Sequence, residues 1–103
     1  MTIDELREKF FEVAREEADL LCSKGADYSG REDVFGNFRR IAVLSRKRIS
    51  PQGAMFVLLM KHIDAIARYV FERELSAESV VSHIKDARNY LFLLLLFLEG
   101  GNE

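Results

Sequence analysis

Apolar residues recur along this chain every three to four positions, and the pattern predicts helices throughout. Ile3, Leu6, Phe10, Val13, Leu20 and Leu21 fall on one helical face. Thr2-Ile3-Asp4-Glu5 in front of them has the form of a capping box, with Thr2 as N-cap and Glu5 reaching back. A first helix is therefore predicted from Thr2 to about Ser23. Lys24 to Glu32 (KGADYSGRE) carries two glycines and reads as a loop. Asp33 is placed to cap a shorter helix containing Phe35, Phe38, Ile41, Ala42 and Leu44. Ser50-Pro51 is a start signal, Ser as N-cap and Pro at the first helical position, for a third helix running to about Glu74. Ser76 can cap a fourth that runs through Leu98 and stops at Gly100-Gly101.

No segment alternates with a period of two, so no strand is expected. There is no repeat, low-complexity stretch or long linker. The pattern predicts an all-α, four-helix bundle-like fold with residues 1–103 as one domain. The composition, 49% hydrophobic and 31% charged, is that of a globular chain. Leu91 to Leu98 (LFLLLLFL) is the longest apolar run, far short of the ~20 residues a membrane span needs. It reads as a buried helix end or an oligomer interface, and a homo-oligomer is expected. The N-terminus is acidic and has no signal-peptide apolar core. A single cysteine, Cys22, excludes an internal disulfide and thiolate metal sites, which fits a cytoplasmic setting.

Charge is distributed unevenly. The first 22 residues hold seven acids against three bases. From Val34 to Ile63 there is no acid, while Arg39, Arg40, Arg46, Lys47, Arg48 and Lys61 lie there. That stretch is either a solvated face or a rim that attracts phosphate, for which Arg forks are suited. With a net charge of -2 and no aromatic-interleaved basic pattern, a nucleic-acid partner is not expected.

Several polar residues fall where burial is expected. Glu17 lies at the centre of the first helix's apolar stripe, where a carboxylate must be paired, hydrogen-bonded or bound to a cation. On the third helix Lys61, Asp64 and Arg68 share a face opposite Phe56, Leu59, Ile63 and Val70, either as a surface ion-pair ladder or as a phosphate grip. His62 lies beside Leu58 and Tyr69. On the fourth helix Glu78, Ser82, Asp86 and Asn89 occupy one arc, flanked by Ser79 and Tyr90. The same arc continues into Leu93 and Leu96, which are expected to be buried, so the polar strip should run into the interior. Such convergence is how sites in helical bundles are built. The glycine-containing segment adds Asp27 and Tyr28, and Asn37 follows in Phe35-Gly36-Asn37-Phe38.

Asp27-Tyr28, Phe35-x-Asn37-Phe38 with Ile41-Ala42, Lys61-His62 with Ala65-Ile66, Glu78-Ser79 and Asp86-x-x-Asn89-Tyr90 occur here in order. Together, over roughly residues 20–98, they resemble small phage and prophage proteins that look distantly similar to the MazG-like all-α nucleotide pyrophosphohydrolases. The resemblance implies a cytoplasmic protein (the host's cytoplasm if phage-encoded) that binds a nucleotide. It also implies Mg²⁺ held by inward acids, here Glu17, Glu78 and Asp86, and cleavage of a nucleoside triphosphate to a monophosphate and pyrophosphate. Asp27, Tyr28, Asn37, Lys61, His62, Arg68, Asn89 and Tyr90 would then contact the ligand. The Glu-x-x-Glu and Glu-x-x-Asp pairs of those enzymes are incomplete here. Ala14 and Leu20 stand three residues either side of Glu17, and His83 stands three before Asp86. No catalytic residue is assigned. Two further readings stay open: a non-catalytic protein that sequesters a nucleotide-derived signal, as an anti-defence sponge would, and a helical interaction module.

Overall fold

The computed structural model describes residues 1–74 and 76–101. It contains four α-helices, α1 (Ile3–Ser29), α2 (Gly36–Leu44), α3 (Pro51–Glu72) and α4 (Ala77–Leu96), followed by a π-helical turn at Phe97–Gly101. No strand occurs among the described residues, so the chain is all-α as the hydrophobic period requires. No helix among the described residues is long and apolar enough to cross a membrane. The chain divides into two compact units, Met1–Val34 and the part beginning at Phe35.

The first unit is α1. Its start follows the capping box: Glu5 N–H donates to Thr2 Oγ1 over 3.1 Å, and Thr2 N–H donates to Glu5 Oε2 over 3.0 Å. Its end does not follow the sequence expectation. The helix continues through Lys24–Ser29, the segment predicted as a loop, and Gly25 is helical. A single helical glycine costs about 1 kcal/mol relative to alanine, which the helix formers around it can outweigh. The residue that ends the helix is Gly30, at φ 83°, whose N–H donates to Ala26 O. No residue of α1 is buried. Val13, Glu17 and Leu21 are half-buried, but Leu6 and Phe10 are exposed. The stripe expected to face a core finds none within this one-helix unit.

The second unit is built of α2, α3, α4 and the π turn. Phe35, not Asp33, is the N-cap of α2, and no side chain caps it. Phe35 serves the interior instead: it is buried and meets Phe97 edge-on at 5.2 Å. After α2 the chain turns on two left-handed residues, Arg46 and Lys47 at φ 57° and 64°. Their N–H groups donate to Val43 O and Ala42 O, so the helix's last carbonyls are satisfied by a turn of Schellman type. Ser50 caps α3 as expected, its Oγ accepting from Gly53 N–H at 3.0 Å, with Pro51 at the first helical position. The left-handed Arg73 ends α3, slightly before the predicted Glu74. Ser76 caps α4, accepting from Ser79 N–H. The α-helix stops at Leu96, and Gly100 at φ 118° lies in the closing π turn.

The core gathers Phe35, Phe38, Ala54, Met55 and Phe97, with Ile41, Leu58, Tyr90, Leu93 and Leu94 against it. The LFLLLLFL run is split by helical geometry. Leu93, Leu94 and Phe97 face this core, while Leu91, Phe92, Leu95 and Leu98 are exposed. Leu96, expected inside, is exposed as well.

Candidate functional site

α3 and α4 are consecutive in the chain and pack side by side, running antiparallel, and polar side chains meet between them. His62 comes from α3. His83, Asp86 and Tyr90 come from α4 at spacings of three and four residues, which place them on one face. The imidazole Nδ1 atoms of His62 and His83 are 2.9 Å apart. At that separation one ring must donate and the other accept, so the contact holds one proton between two nitrogens. Asp86 Oδ2 lies 3.9 Å from His62 Nδ1. The His62 side chain is 14% exposed and that of Asp86 22%, so both are mostly shielded from water. Tyr90 stacks on the His62 ring at 5.6 Å with 25° between planes, and it also meets Phe38 of α2 edge-on at 6.3 Å. Asn89, next along the chain, is the one buried polar residue among those described. No buried side-chain nitrogen or oxygen among the described residues lacks a hydrogen-bond partner.

The strip on α4 therefore descends into the molecule as expected. Glu78 and Ser82 are exposed, Asp86 is half-buried and Asn89 buried. Of the residues singled out from sequence, His62, Asp86 and Tyr90 are brought together. His83 belongs with them, and in the sequence it stands out only by its place three before Asp86. Its face was readable, because 83, 86 and 90 are helical neighbours, but its partner on α3 was not. Lys61 is exposed, one residue from His62, on the face that also carries Asp64 and Arg68. Arg68 lies on the solvated side of α3, 3.3 Å from Asp64 and 3.5 Å from Glu74, which is the surface ladder. Asn37 is half-buried in the first turn of α2. Asp27 and Tyr28 lie exposed on the last turns of α1, in the other unit; Glu17 lies in the middle of the same helix and is half-buried. Arg39 and Arg40, with Val43 and Leu44, line a shallow open depression on α2.

The acids do not fit a directly held Mg²⁺. Glu78 and Asp86 are eight residues apart on one continuous helix, a rise of about 12 Å, which carboxylates bonding one ion at about 2.1 Å cannot span. Among the described residues no group of three or more His, Cys, Asp or Glu is arranged to hold a metal ion. What the arrangement offers is a proton-bearing histidine pair, a carboxylate and stacked ring faces, set in an apolar wall.

No family model, no curated protein and no solved structure matches the chain.

Proposed function

We propose that this chain is a nucleotide-binding protein of the MazG-like kind, with its ligand seated at the α3–α4 polar cluster. The observation that carries the reading is the convergence of His62, His83, Asp86 and Tyr90 on one spot. Flat rings with hydrogen-bonding edges, in a mostly apolar surround, suit an aromatic base. Asn89 beside Tyr90 would support the base-binding wall, and Lys61, next to His62 in the chain, would supply positive charge for phosphate. The ordered motifs between residues 20 and 98 that resemble phage-encoded relatives of the pyrophosphohydrolases add to the case. The acids do not form a Mg²⁺ cage, so binding is the favoured activity, and hydrolysis is the version that needs its own proof.

The test is calorimetry of the purified chain with ATP, GTP, CTP and dTTP, with and without Mg²⁺, alongside an assay for released pyrophosphate. Binding without release is the expected result and leaves a sequestering role in place. Release would establish the hydrolase. Binding to none of them overturns the nucleotide reading. The interaction-module reading would then lead, because α3 and α4 expose apolar residues along their length.

A further inference from the structure

The longest acid-free stretch of the chain presents one surface that is both basic and apolar. Between Val34 and Ile63 there is no Asp or Glu. α2 runs through this stretch, and Phe38 and Ala42 are its buried side. Rotating by 100° per residue puts Arg39, Arg40, Val43 and Leu44 together on the opposite side, and these four line its shallow depression. Leu44 and Val43 are 83% and 69% exposed, so both stand out from the surface. The chain then turns through Arg46, Lys47 and Arg48, all exposed, to the exposed Ile49. Along the axis of α2 the apolar pair therefore has bases both before it and after it. The first turn of α3, which comes next, carries no acid.

Two features separate this surface from an ordinary solvated one. First, Arg46 and Lys47 both hold left-handed backbone, at φ 57° and 64°. Residues with side chains rarely adopt it, and glycine or asparagine is the usual occupant at a helix end. The turn needs only backbone groups, since its hydrogen bonds run from N–H to carbonyl. Two bases are thus held at positions that disfavour them. A cation near the last carbonyls of α2 suits the helix dipole, which accounts for one base but not for three in succession. Second, no ion pair joins Arg46, Lys47 or Arg48 to an acid among the described residues. Their charge faces water beside exposed aliphatic side chains.

We propose that this surface docks the chain on an anionic lipid bilayer. Lys and Arg are drawn to acidic headgroups, and Val43, Leu44 and Ile49 can enter the acyl boundary between them. The helix then lies on the membrane without spanning it. A nucleic acid fits less well. Phosphodiesters would reward the bases, but Phe35 and Phe38 at α2 are buried and cannot stack on nucleobases, and the protruding aliphatic side chains gain nothing there. A protein partner fits less well too. Three exposed apolar side chains at a helix end fall far short of the roughly 800 Å² that each side of a standard interface contributes. A bilayer closes around such a protrusion and needs no matching groove. Each base near an acidic surface is worth about fivefold in partition, so Arg46, Lys47 and Arg48 together should contribute about 100-fold. The polar cluster of the nucleotide reading lies elsewhere: Phe38, which meets Tyr90, is on the opposite side of α2.

Co-sedimentation of the full chain with vesicles tests this. Binding is expected to phosphatidylcholine vesicles containing about 40% phosphatidylserine, and it should fall at least about tenfold on pure phosphatidylcholine or on raising NaCl from about 0.1 to about 0.5 M. Arg46→Asn, Lys47→Asn and Arg48→Gln combined, asparagine being tolerated in left-handed backbone, should weaken binding by about 100-fold with helical circular dichroism unchanged. Leu44→Ser should weaken it by about tenfold. Phe10→Ser, at an exposed residue of α1, should leave it unchanged. If the triple variant loses its helical signal, Leu44→Ser and the salt dependence decide. No binding to the acidic vesicles overturns the proposal. So does binding indifferent to the triple variant and to Leu44→Ser, or binding lost in Phe10→Ser, which would move the contact to α1. A short DNA duplex is the competing probe. Duplex binding that the triple variant abolishes, without vesicle binding, assigns the bases to nucleic acid and overturns the proposal.

Discussion

His62 of α3 and His83 of α4 face each other through their Nδ1 atoms at 2.9 Å. Two neutral rings can make this contact only as complementary tautomers, one carrying hydrogen on Nδ1 and the other on Nε2. Long-range ¹H–¹⁵N spectra near neutral pH should therefore show one Nδ1–H and one Nε2–H tautomer. Two identical tautomers would mean that the bond does not exist in solution. His83→Phe keeps the ring and removes the bond. It should cost about 1–2 kcal/mol, measured by urea unfolding.

Ligand binding separates the residues that the fold gathers from those it leaves outside. Tyr90→Ala and His62→Ala should weaken nucleotide affinity about tenfold or more, each removing one of two stacked rings. Arg68→Ala should change it less than about twofold, because Arg68 is spent on exposed pairs with Asp64 and Glu74 that are individually weak. Calorimetry of the three variants decides. Equal losses at all three would move the site to the outer face of α3.

Arg73 ends α3 at φ 55°, a left-handed conformation that costs a side-chain-bearing residue about 1–2 kcal/mol. Arg73→Gly removes that strain but loosens the unfolded chain, for a net gain of about 0.5–1 kcal/mol. A rise in Tm of about 3–6 °C is expected. A fall in Tm would show that the arginine side chain contributes something the backbone geometry does not reveal.

Met55 is the most completely buried large side chain, at 0% exposure in the cluster with Phe35, Phe38 and Phe97. Met55→Ala should destabilise by about 2–5 kcal/mol. For a domain of this size that is a large share of the total. Exposed Phe71 offers the contrast, and Phe71→Ala should move stability by less than about 0.5 kcal/mol. Thr2→Ala removes the acceptor of the capping box and should lower the helicity of α1 alone, by about 0.5–2 kcal/mol of helix stability.

Local chemistry wrote much of this chain's structure in advance. The caps at Thr2, Ser50 and Ser76 are where the sequence puts them, because a cap is a contact between residues three apart and needs nothing from the rest of the fold. The 3.6-residue period dictated helices throughout. The descent of the α4 strip from exposed Glu78 to buried Asn89 followed from rotation and rise on one helix. The failures are also physical. Gly25 looked like a break, but a glycine costs only about 1 kcal/mol inside a helix, and the stop fell to Gly30, where a left-handed φ is used. Asp33 looked like a cap, yet burial of Phe35 set the start of α2.

Tertiary structure alone decided which polar residues meet and which apolar stripes are covered. The periodicity of α3 and α4 assigns faces to His62 and His83, but the register between the helices comes from packing around Met55, Phe38 and Tyr90, and only that register brings the two rings together. The same holds for apolar surface. α3 is apolar around more than half its circumference, and nothing in its spacing says that α2 and α4 take one part and leave the Phe56–Val70 stripe in water. A single helix records its faces in its sequence, whereas the choice of neighbours is made by long-range packing, which no local pattern encodes.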